Sequence, residues 1–304
     1  MSPATFARAE FRAAGTDLSE RRRSGVSTGP LIDLVPAPDM MAITWGADGA
    51  ARIGASVNIA AIAADAQLAR AYPGLVAAAG GLATPQVRTL ATLGGNLAQR
   101  SRCWYFRSPH IDCLKKGGAS CPARDGNHLF HVAFDLGPCV APHPSTLAAA
   151  LLTYDATIAT DRRAALTIPQ LLGDGSNGHA DNELGDGEMI KSVQLGAPVA
   201  GERALYKRAI GRTYAEWPLV EIVARAVVSG GTFQFVRIAA GGIAPVPLRL
   251  ANAEAAAQGE SANAATAAKA AEQAVTGARP LPMTGYKLDL LKGLVRDLLE
   301  HLAG

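Results

Sequence analysis

The sequence lacks several features that would assign it to a broad functional class. It has no run of about 18 consecutive apolar residues, the length that a transmembrane helix needs, so we expect no membrane span. Its net charge of +3 is too small to indicate nucleic-acid binding. No Gly-x-x-x-x-Gly-Lys-Ser/Thr loop is present, and the first residues contain no basic region followed by an apolar run. These absences predict a cytoplasmic chain with no P-loop and no nucleic-acid partner.

Cysteine is scarce, and its distribution is uneven. The four cysteines, Cys103, Cys113, Cys121 and Cys139, lie within 37 positions of the 304-residue chain. The gaps of 9, 7 and 17 residues match neither a zinc ribbon nor a short ferredoxin motif, both of which begin with Cys-x-x-Cys. Four thiolates in one loop can still surround one metal centre, because the residues between them fold back at a modest cost in loop-closure entropy.

The residues alone leave four interpretations of this loop open. Two disulfides would suit a small secreted scaffold better than a long chain without a signal peptide. A structural zinc ion could take His128 or His131 as a substitute ligand, and four unrelated buried thiols would act as small apolar side chains. We favour an iron–sulfur cluster, because Lys115, Lys116 and two glycines in CLKKGGASC would form a flexible, positive wrap around it.

Length and composition indicate two or three domains. The chain is longer than one ordinary domain. Hydrophobic residues make up 49% of it and charged residues 18%, which suggests that part of its surface is buried against partner subunits. Short apolar runs alternate with segments of helical spacing, so the class is α/β or α+β. The segment 217–229 fits a helix or a strand, whereas 248–276 predicts two helices broken near Gly259. Asn58 is predicted to cap one helix and Pro73 to open the next.

Two glycine loops predict a phosphate-binding site. AAGTDL (13–18) and ATLGGNL (91–97) each place glycine beside threonine and a small polar residue. Glycine lets the backbone approach a phosphate, while free N–H groups and the threonine hydroxyl donate hydrogen bonds. Neither loop is the Gly-x-Gly-x-x-Gly fingerprint of a Rossmann domain. No convincing acid–base pair accompanies them, and the acidic, glycine-rich segment 173–188 is predicted to be a solvated loop. The chemistry would therefore depend on a cofactor.

Over nearly its whole length the chain resembles the FAD-binding (medium) subunits of the xanthine dehydrogenase family of molybdenum hydroxylases. AAGTDL is similar to the Ala-Gly-Gly-Thr-Asp-Leu loop of that family, and TPQVRTLATLGGNLAQRSRC to its Gln-x-Arg-Asn-x-x-Thr-x-Gly-Gly-Asn stretch. YKRAIGRTYAEWPLV and AAGGIAPVPLRLANAE resemble markers of its C-terminal domain. The likeness is strongest to the branch with an extra 4Fe–4S cluster, the flavin subunits of periplasmic aldehyde oxidoreductase and 4-hydroxybenzoyl-CoA reductase.

The resemblance implies an α+β fold in two domains. A PCMH-type FAD-binding domain would span 1–197, with subdomains at about 1–45 and 46–197 and a cluster loop at 101–140. A smaller α/β domain, like the C-terminal domain of CO dehydrogenase flavoprotein, would span 203–304. The implied FAD contacts are Ala13, Ala14, Gly15, Thr16, Asp17, Leu18, Thr92, Gly94, Gly95, Asn96 and Lys207 or Arg208, and the implied 4Fe–4S ligands are Cys103, Cys113, Cys121 and Cys139.

Two residues depart from the family pattern. Ala14 stands where the family has the first glycine of its loop, which narrows the room for a phosphate. Thr146 stands where the family usually has an acidic residue near the cofactor.

The resemblance implies electron transfer rather than catalysis by side chains. Electrons from an aldehyde or N-heterocycle would pass from molybdenum through 2Fe–2S clusters to FAD and then to an external acceptor. The partners would be a large molybdenum-cofactor subunit and a small 2Fe–2S subunit, in a heterotrimer or a dimer of heterotrimers. Co-export with a partner would permit a periplasmic location. The alternatives are reverse flow into a hydroxybenzoyl-CoA reductase, a self-contained flavin oxidase, and a zinc-binding assembly module.

Overall fold

The structure is a computed structural model that describes residues 9–211 and 216–304. Residues 1–8 of the predicted first subdomain and residues 212–215 of one family marker lie outside the described residues. The strands are β1 Glu10–Arg12, β2 Leu31–Asp33, β3 Ile43–Trp45, β4 Ala51–Gly54, β5 Thr157–Thr160, β6 Leu166–Thr167, β7 Ile190–Leu195, β8 Arg203–Ala209, β9 Val220–Ser229, β10 Thr232–Gly241 and β11 Leu248–Arg249.

Short helices dominate the first two thirds of the chain, and longer ones follow. The α-helices are α1 Leu18–Arg23, α2 Ile59–Ala64, α3 Ala66–Ala71, α4 Pro73–Gly81, α5 Pro85–Leu90, α6 Leu93–Leu97, α7 Trp104–Arg107, α8 Thr146–Thr153, α9 Ile168–Leu172, α10 Ala251–Ala257, α11 Ala264–Gln273 and α12 Tyr286–Ala303. Two 3-10 helices span Pro38–Met41 and Leu114–Lys116.

Local capping signals place several of these helices. The Asn58 Oδ1 accepts a hydrogen bond from the Ala61 amide at 2.7 Å, so Asn58 caps α2 as predicted. Pro73 occupies the first position of α4, where its missing N–H costs nothing. The predicted break near Gly259 is also confirmed, because α10 ends at Ala257 and Gly259 has a φ of 84°.

Two sheets organise the part of the chain before residue 198. β1 and β2 form a small parallel pair on either side of α1. The larger, antiparallel sheet has the order β3-β4-β7-β5-β6. Its register places Ile53 of β4 opposite Val193 of β7, and both are fully buried. They join a core that includes residues of α2, α4 and α8.

The C-terminal part is a four-stranded antiparallel sheet covered on both faces. Its order is β11-β10-β9-β8. Helices α10 and α12 pack against the sheet and α11 packs against both of them, whereas α4 and α8 of the preceding part also contact the strands. Every residue of β9 from Val220 to Ala226 is therefore buried. A strand with no solvent face has no polar–apolar alternation, which is why 217–229 fitted a helix equally well.

Candidate functional site

The first glycine loop connects β1 to α1 and forms one wall of a cleft. Gly15 has a φ of 72°, a left-handed conformation that glycine adopts without strain. A Cβ at this position would lie 2.7 Å from the Ser19 Oγ. The Gly15 carbonyl accepts a hydrogen bond from the Ser19 amide at 2.8 Å, which starts α1. Ala13, Ala14 and Thr16 are exposed and line the cleft.

The second glycine loop, which continues into α6, forms the facing wall. The Thr92 Oγ1 accepts a hydrogen bond from the Gly95 amide at 3.1 Å and caps α6. The Gly94 amide donates to the Ala55 carbonyl at 2.8 Å, and a Cβ on Gly94 would lie 3.0 Å from the Ala55 Cβ. A Cβ on Gly95 would lie 3.0 Å from the Thr92 Oγ1 and would otherwise face the cleft. Gly94 thus permits packing against Ala55, the residue that follows β4, whereas Gly95 keeps the cleft open.

Two adjoining cavities form this cleft. The first lies between the two glycine loops, and the second continues to the C-terminal sheet, where Arg208 and Trp217 line it. An elongated cleft with glycine loops where its halves meet and an arginine near one end fits a dinucleotide such as FAD. The residues that line both halves are Thr16, Asp17, Ala91, Gly95 and Gln99.

Arginines surround Asp17, the acidic residue of the first loop. The Asp17 Oδ1 accepts hydrogen bonds from Arg102 and, at 2.6 Å, from Arg107. The Oδ2 accepts from Arg21 at 3.1 Å and from the Arg100 amide at 3.2 Å. Burial alone would raise the pKa of Asp17, but the three guanidinium groups outweigh burial and hold the pKa well below its usual range. Asp17 therefore fastens the first glycine loop to the start of the cysteine loop, a role that no sequence motif predicted.

The two basic residues predicted near the cofactor lie on opposite faces of β8. Successive residues of a strand point to opposite sides of the sheet. Arg208 lines the second half of the cleft. Lys207 forms an ion pair with Asp297 of α12 on the other face. The structure thus favours Arg208 over Lys207 as a cofactor contact.

A buried carboxyl group lies behind the Arg208 end of the cleft. The Glu221 Oε2 accepts hydrogen bonds from the hydroxyls of Thr146 and Tyr206, each at 2.8 Å. Glu221 is 1% exposed, and burial raises its pKa to about 7. Thr146 lines the cleft, so a neutral hydroxyl faces the cofactor space and the acidic group stands behind it. Sequence analysis missed Glu221, because nothing in the pattern of β9 marks it.

The four cysteines line a single small cavity. All four are free thiols, so the disulfide interpretation is wrong. A hydrogen bond with Cys139 lowers the pKa of Cys121 to about 6 and raises that of Cys139, while burial raises the pKa of Cys103 to about 11. Among residues 9–211 and 216–304, no group of three or more His, Cys, Asp or Glu side chains is arranged to hold a metal ion. The predicted ligands are brought together, but their geometry alone does not establish a metal site.

The histidines of the cysteine loop have separate roles. The His131 Nε2 lies 3.2 Å from the Cys103 Sγ, and burial lowers the pKa of His131 to about 4, which keeps the ring neutral. His128 contacts the Ala123 carbonyl through Nδ1 and accepts a hydrogen bond from the Met283 amide at Nε2. His131 therefore faces a thiol, whereas His128 joins the loop to the segment before α12.

Two predictions about the loop surroundings were wrong. Lys115 and Lys116 do not form a flexible wrap, because both are buried. The Lys115 Nζ donates to the Ala180 carbonyl at 2.6 Å and pairs with Asp181 at 2.9 Å. Asp181, in the segment predicted to be a solvated loop, is buried and also pairs with Arg100 at 2.6 Å. Sequence composition cannot reveal these pairs, since they join positions more than 60 residues apart.

Known families cover both parts of the chain. The model of the FAD binding domain in molybdopterin dehydrogenase matches residues 5–198, and that of the CO dehydrogenase flavoprotein C-terminal domain matches residues 205–302. The chain belongs to the family of FAD-binding subunits of molybdenum hydroxylases.

Curated relatives of this molybdenum hydroxylase flavin subunit are oxidoreductase subunits. The chain is 32% identical over 254 residues to the aldehyde oxidoreductase FAD-binding subunit PaoB of Escherichia coli strain K12, covering 81% of this chain and 78% of that protein. It is 33% identical over 90 residues to the xanthine dehydrogenase FAD-binding subunit of Escherichia coli O157:H7, covering 29% of this chain and 31% of that protein. The chain is accordingly a flavoprotein of the oxidoreductase class.

Solved structures share the fold of the flavin subunit at low sequence identity. Quinoline 2-oxidoreductase from Pseudomonas putida 86 aligns with a TM-score of 0.73 at 20% identity, over 100% of this chain and 98% of that chain. Carbon monoxide dehydrogenase from Hydrogenophaga pseudoflava aligns with a TM-score of 0.71 at 21% identity, over 96% and 88%. The predicted α+β class with an FAD-binding domain and a CO dehydrogenase flavoprotein-like C-terminal domain is confirmed. None of the described helices has the length and apolar character to cross a bilayer.

Proposed function

We propose that this chain is the electron-transferring subunit of a molybdenum-dependent aldehyde or N-heterocycle oxidoreductase. FAD would lie in the cleft between the glycine loops, and a 4Fe–4S cluster would lie in the cysteine-lined cavity. When bound, FAD exchanges two electrons with one partner and single electrons with another, so it joins two kinds of redox chemistry. The protein supplies binding, distance and electrostatics, which agrees with the lack of a convincing acid–base pair in the sequence.

The observation that carries the proposal is that the cleft and the cysteine cavity adjoin. Arg102 lines the cleft, and the next residue, Cys103, lines the cysteine cavity. Asp17 of the first glycine loop accepts hydrogen bonds from both Arg102 and Arg107, so the loop of each site holds the other in place. Two redox groups bound here would be separated by little protein, which favours electron transfer between them.

The assignment of FAD contacts rests on the walls of the cleft. We place the phosphates at the glycine loops, where the backbone amides of the first loop and the Thr16 and Thr92 hydroxyls would supply donors. Arg208 would meet the cofactor at the other end. We assign these contacts to a domain that spans 1–197, with two subdomains that meet near residue 45. We assign 203–304 to the C-terminal domain. The separate sheets before and after residue 198 support this division.

We propose a 4Fe–4S cluster as the occupant of the cysteine cavity. Thiolates favour soft metals and iron–sulfur clusters over hard oxygen-seeking cations. The ligands of a 4Fe–4S cluster bind four different iron atoms, so each of the four cysteines that line the cavity would hold one iron. We therefore keep Cys103, Cys113, Cys121 and Cys139 as the proposed ligands.

Partner subunits would supply the molybdenum cofactor and the 2Fe–2S clusters. The relative PaoB is itself a subunit of an aldehyde oxidoreductase, which supports such an assembly for this chain. The described residues contain four cysteines, enough to bind one cluster and none further. Trp104 and Phe130 meet edge to face at the surface of the cysteine loop, with 38% and 48% exposure, and give a partner an apolar surface near the cavity.

A reciprocal pair of variants tests the two sites. Gly95→Val fills the cleft without entering the cysteine cavity, so the anaerobically purified chain should lose most of its flavin and keep its iron. Cys121→Ser should lose iron and sulfide while it keeps most of its flavin. Absorbance spectra and iron analysis measure both groups. Gly196→Val is the matched control, because nothing lies within 4 Å of a Cβ at this exposed glycine.

Each half of the proposal can fail separately. Full flavin occupancy in Gly95→Val would show that the cleft is not the FAD site. If the wild-type chain contained no iron, or if its iron content did not change when each cysteine was substituted in turn, the cluster proposal would be refuted and the chain would be a subunit that binds flavin alone.

A further inference from the structure

A buried acid–hydroxyl pair lies next to the cofactor cleft and has no part in the function proposed above. It consists of Glu221 at the start of β9 and Thr146 at the first turn of α8. The Thr146 hydroxyl donates to the Glu221 Oε2 at 2.8 Å and lines the second half of the cleft. A hydroxyl can accept one proton while it donates another, so Thr146 connects the buried carboxyl group to the cleft.

The surroundings of Glu221 leave its charge only partly compensated. Tyr206 of β8 donates a second neutral hydrogen bond to Oε2 at 2.8 Å. Within 9–211 and 216–304, the charged side chain that acts on it is Arg208, its neighbour across the β8–β9 pair, which lines the cleft. On the side of β10, Gly241 contributes no side chain; a Cβ there would lie 2.5 Å from the Glu221 Oε1. The amino-terminal end of α8 adds a partial positive charge.

A carboxyl group in such surroundings responds to the charge of the neighbouring cleft. Burial leaves it close to balance between its protonated and ionised forms near neutral pH, as its raised pKa of about 7 indicates. Negative charge added in the cleft would favour the protonated form, because like charges repel strongly where water is excluded. Glu221 would then take up a proton from solvent through Thr146.

We propose that Glu221 is a redox-linked protonation site, which takes up one proton through Thr146 when the cofactor in the cleft is reduced and releases it on reoxidation. This inference rests on the proposed function, because it needs the redox-active ring beside Arg208. In the balanced step, an iron–sulfur or dye donor gives two electrons and the ring takes one solvent proton, which leaves one added negative charge in the cleft. The Glu221 carboxylate gains one further solvent proton, which offsets part of the added charge.

The midpoint potential of the bound flavin tests the inference, because its slope against pH counts the protons taken up per electron. At pH 8, where Glu221 is ionised before reduction, the wild-type slope should be up to twice that of Glu221→Gln. At pH 5.5, where Glu221 is protonated in both redox states, the two slopes should agree. Spectroelectrochemistry of the full chain with redox dyes gives both values without an assay of turnover.

A second variant keeps the test informative if Glu221→Gln folds poorly. Tyr206→Phe retains the carboxyl group but removes one hydrogen bond to its ionised form, so the steep part of the slope should begin at a higher pH than in the wild type. Equal slopes at pH 8 in wild type and Glu221→Gln, or an unmoved onset in Tyr206→Phe, would overturn the inference while the flavin remains bound. A chain that binds no flavin would overturn this inference together with the proposed function.

Discussion

Replacement of Glu221 by glutamine should change the stability of the chain in a way that depends on pH. Glutamine keeps the shape of the side chain and an acceptor for the Thr146 and Tyr206 hydroxyls, but it cannot ionise. The pKa of Glu221 rises from 4.5 to about 7 on folding because the group is buried. Between these values the folded chain binds more protons than the unfolded chain, so the free energy of unfolding falls as pH rises.

The magnitude follows from the size of the pKa change. About 2.5 pKa units at about 1.4 kcal/mol per unit give a penalty of about 3 kcal/mol above pH 7. Near pH 4.5 the carboxyl group is protonated in the folded chain and the penalty is absent. We therefore expect Glu221→Gln to match the wild type near pH 4.5 and to exceed its unfolding free energy by about 3 kcal/mol at pH 8.

Urea unfolding of the flavin-free chain at several pH values measures this difference. The comparison needs equal m-values, so that the midpoint shift reports stability rather than a change in the unfolded state. Glu272→Gln is the control, because that carboxylate has 67% side-chain exposure and its replacement should give the same small difference at every pH. A glutamine variant that is less stable than the wild type at pH 8, or a difference that does not vary with pH, would refute the reasoning.

Two further substitutions test contacts that join distant segments. Asp17→Asn removes the charge that holds Arg102 and Arg107, so it should lower the unfolding free energy by about 3 kcal/mol at pH 7. It should also reduce bound flavin and bound iron together. Unchanged retention of both would contradict the role of Asp17 in joining the two loops. Lys287 is buried, and burial lowers its pKa to about 7. Its folded form therefore binds fewer protons between pH 7 and 10.5, so wild-type stability should rise over that window and Lys287→Met should lose this rise in thermal unfolding; a parallel rise in both proteins would show that another group causes it.

The sequence by itself determined the features that depend on local chemistry. Glycine, threonine and asparagine act within a few residues of their own position, so the two glycine loops and the cap at Asn58 follow from short motifs. The pattern of these motifs along the chain was also enough to indicate the family, which the matches over 5–198 and 205–302 confirm. The clustering of the cysteines in one loop was visible in the same way, although their occupant stays a proposal.

Only the tertiary structure decided which side chains meet. Lys207 and Arg208 are adjacent basic residues that the sequence does not distinguish. On β8 they lie on opposite faces, so Lys207 pairs with Asp297 and Arg208 lines the cleft. Asp181 was predicted to be solvated because its neighbours in sequence are polar, yet it is buried and forms ion pairs with Lys115 and Arg100. Glu221 stands in an unbroken buried strand, where no alternation marks one residue from the next. Charge and burial depend on what packs against a residue, and here the packing partners are 15 to 90 residues away along the chain, beyond the reach of any local pattern.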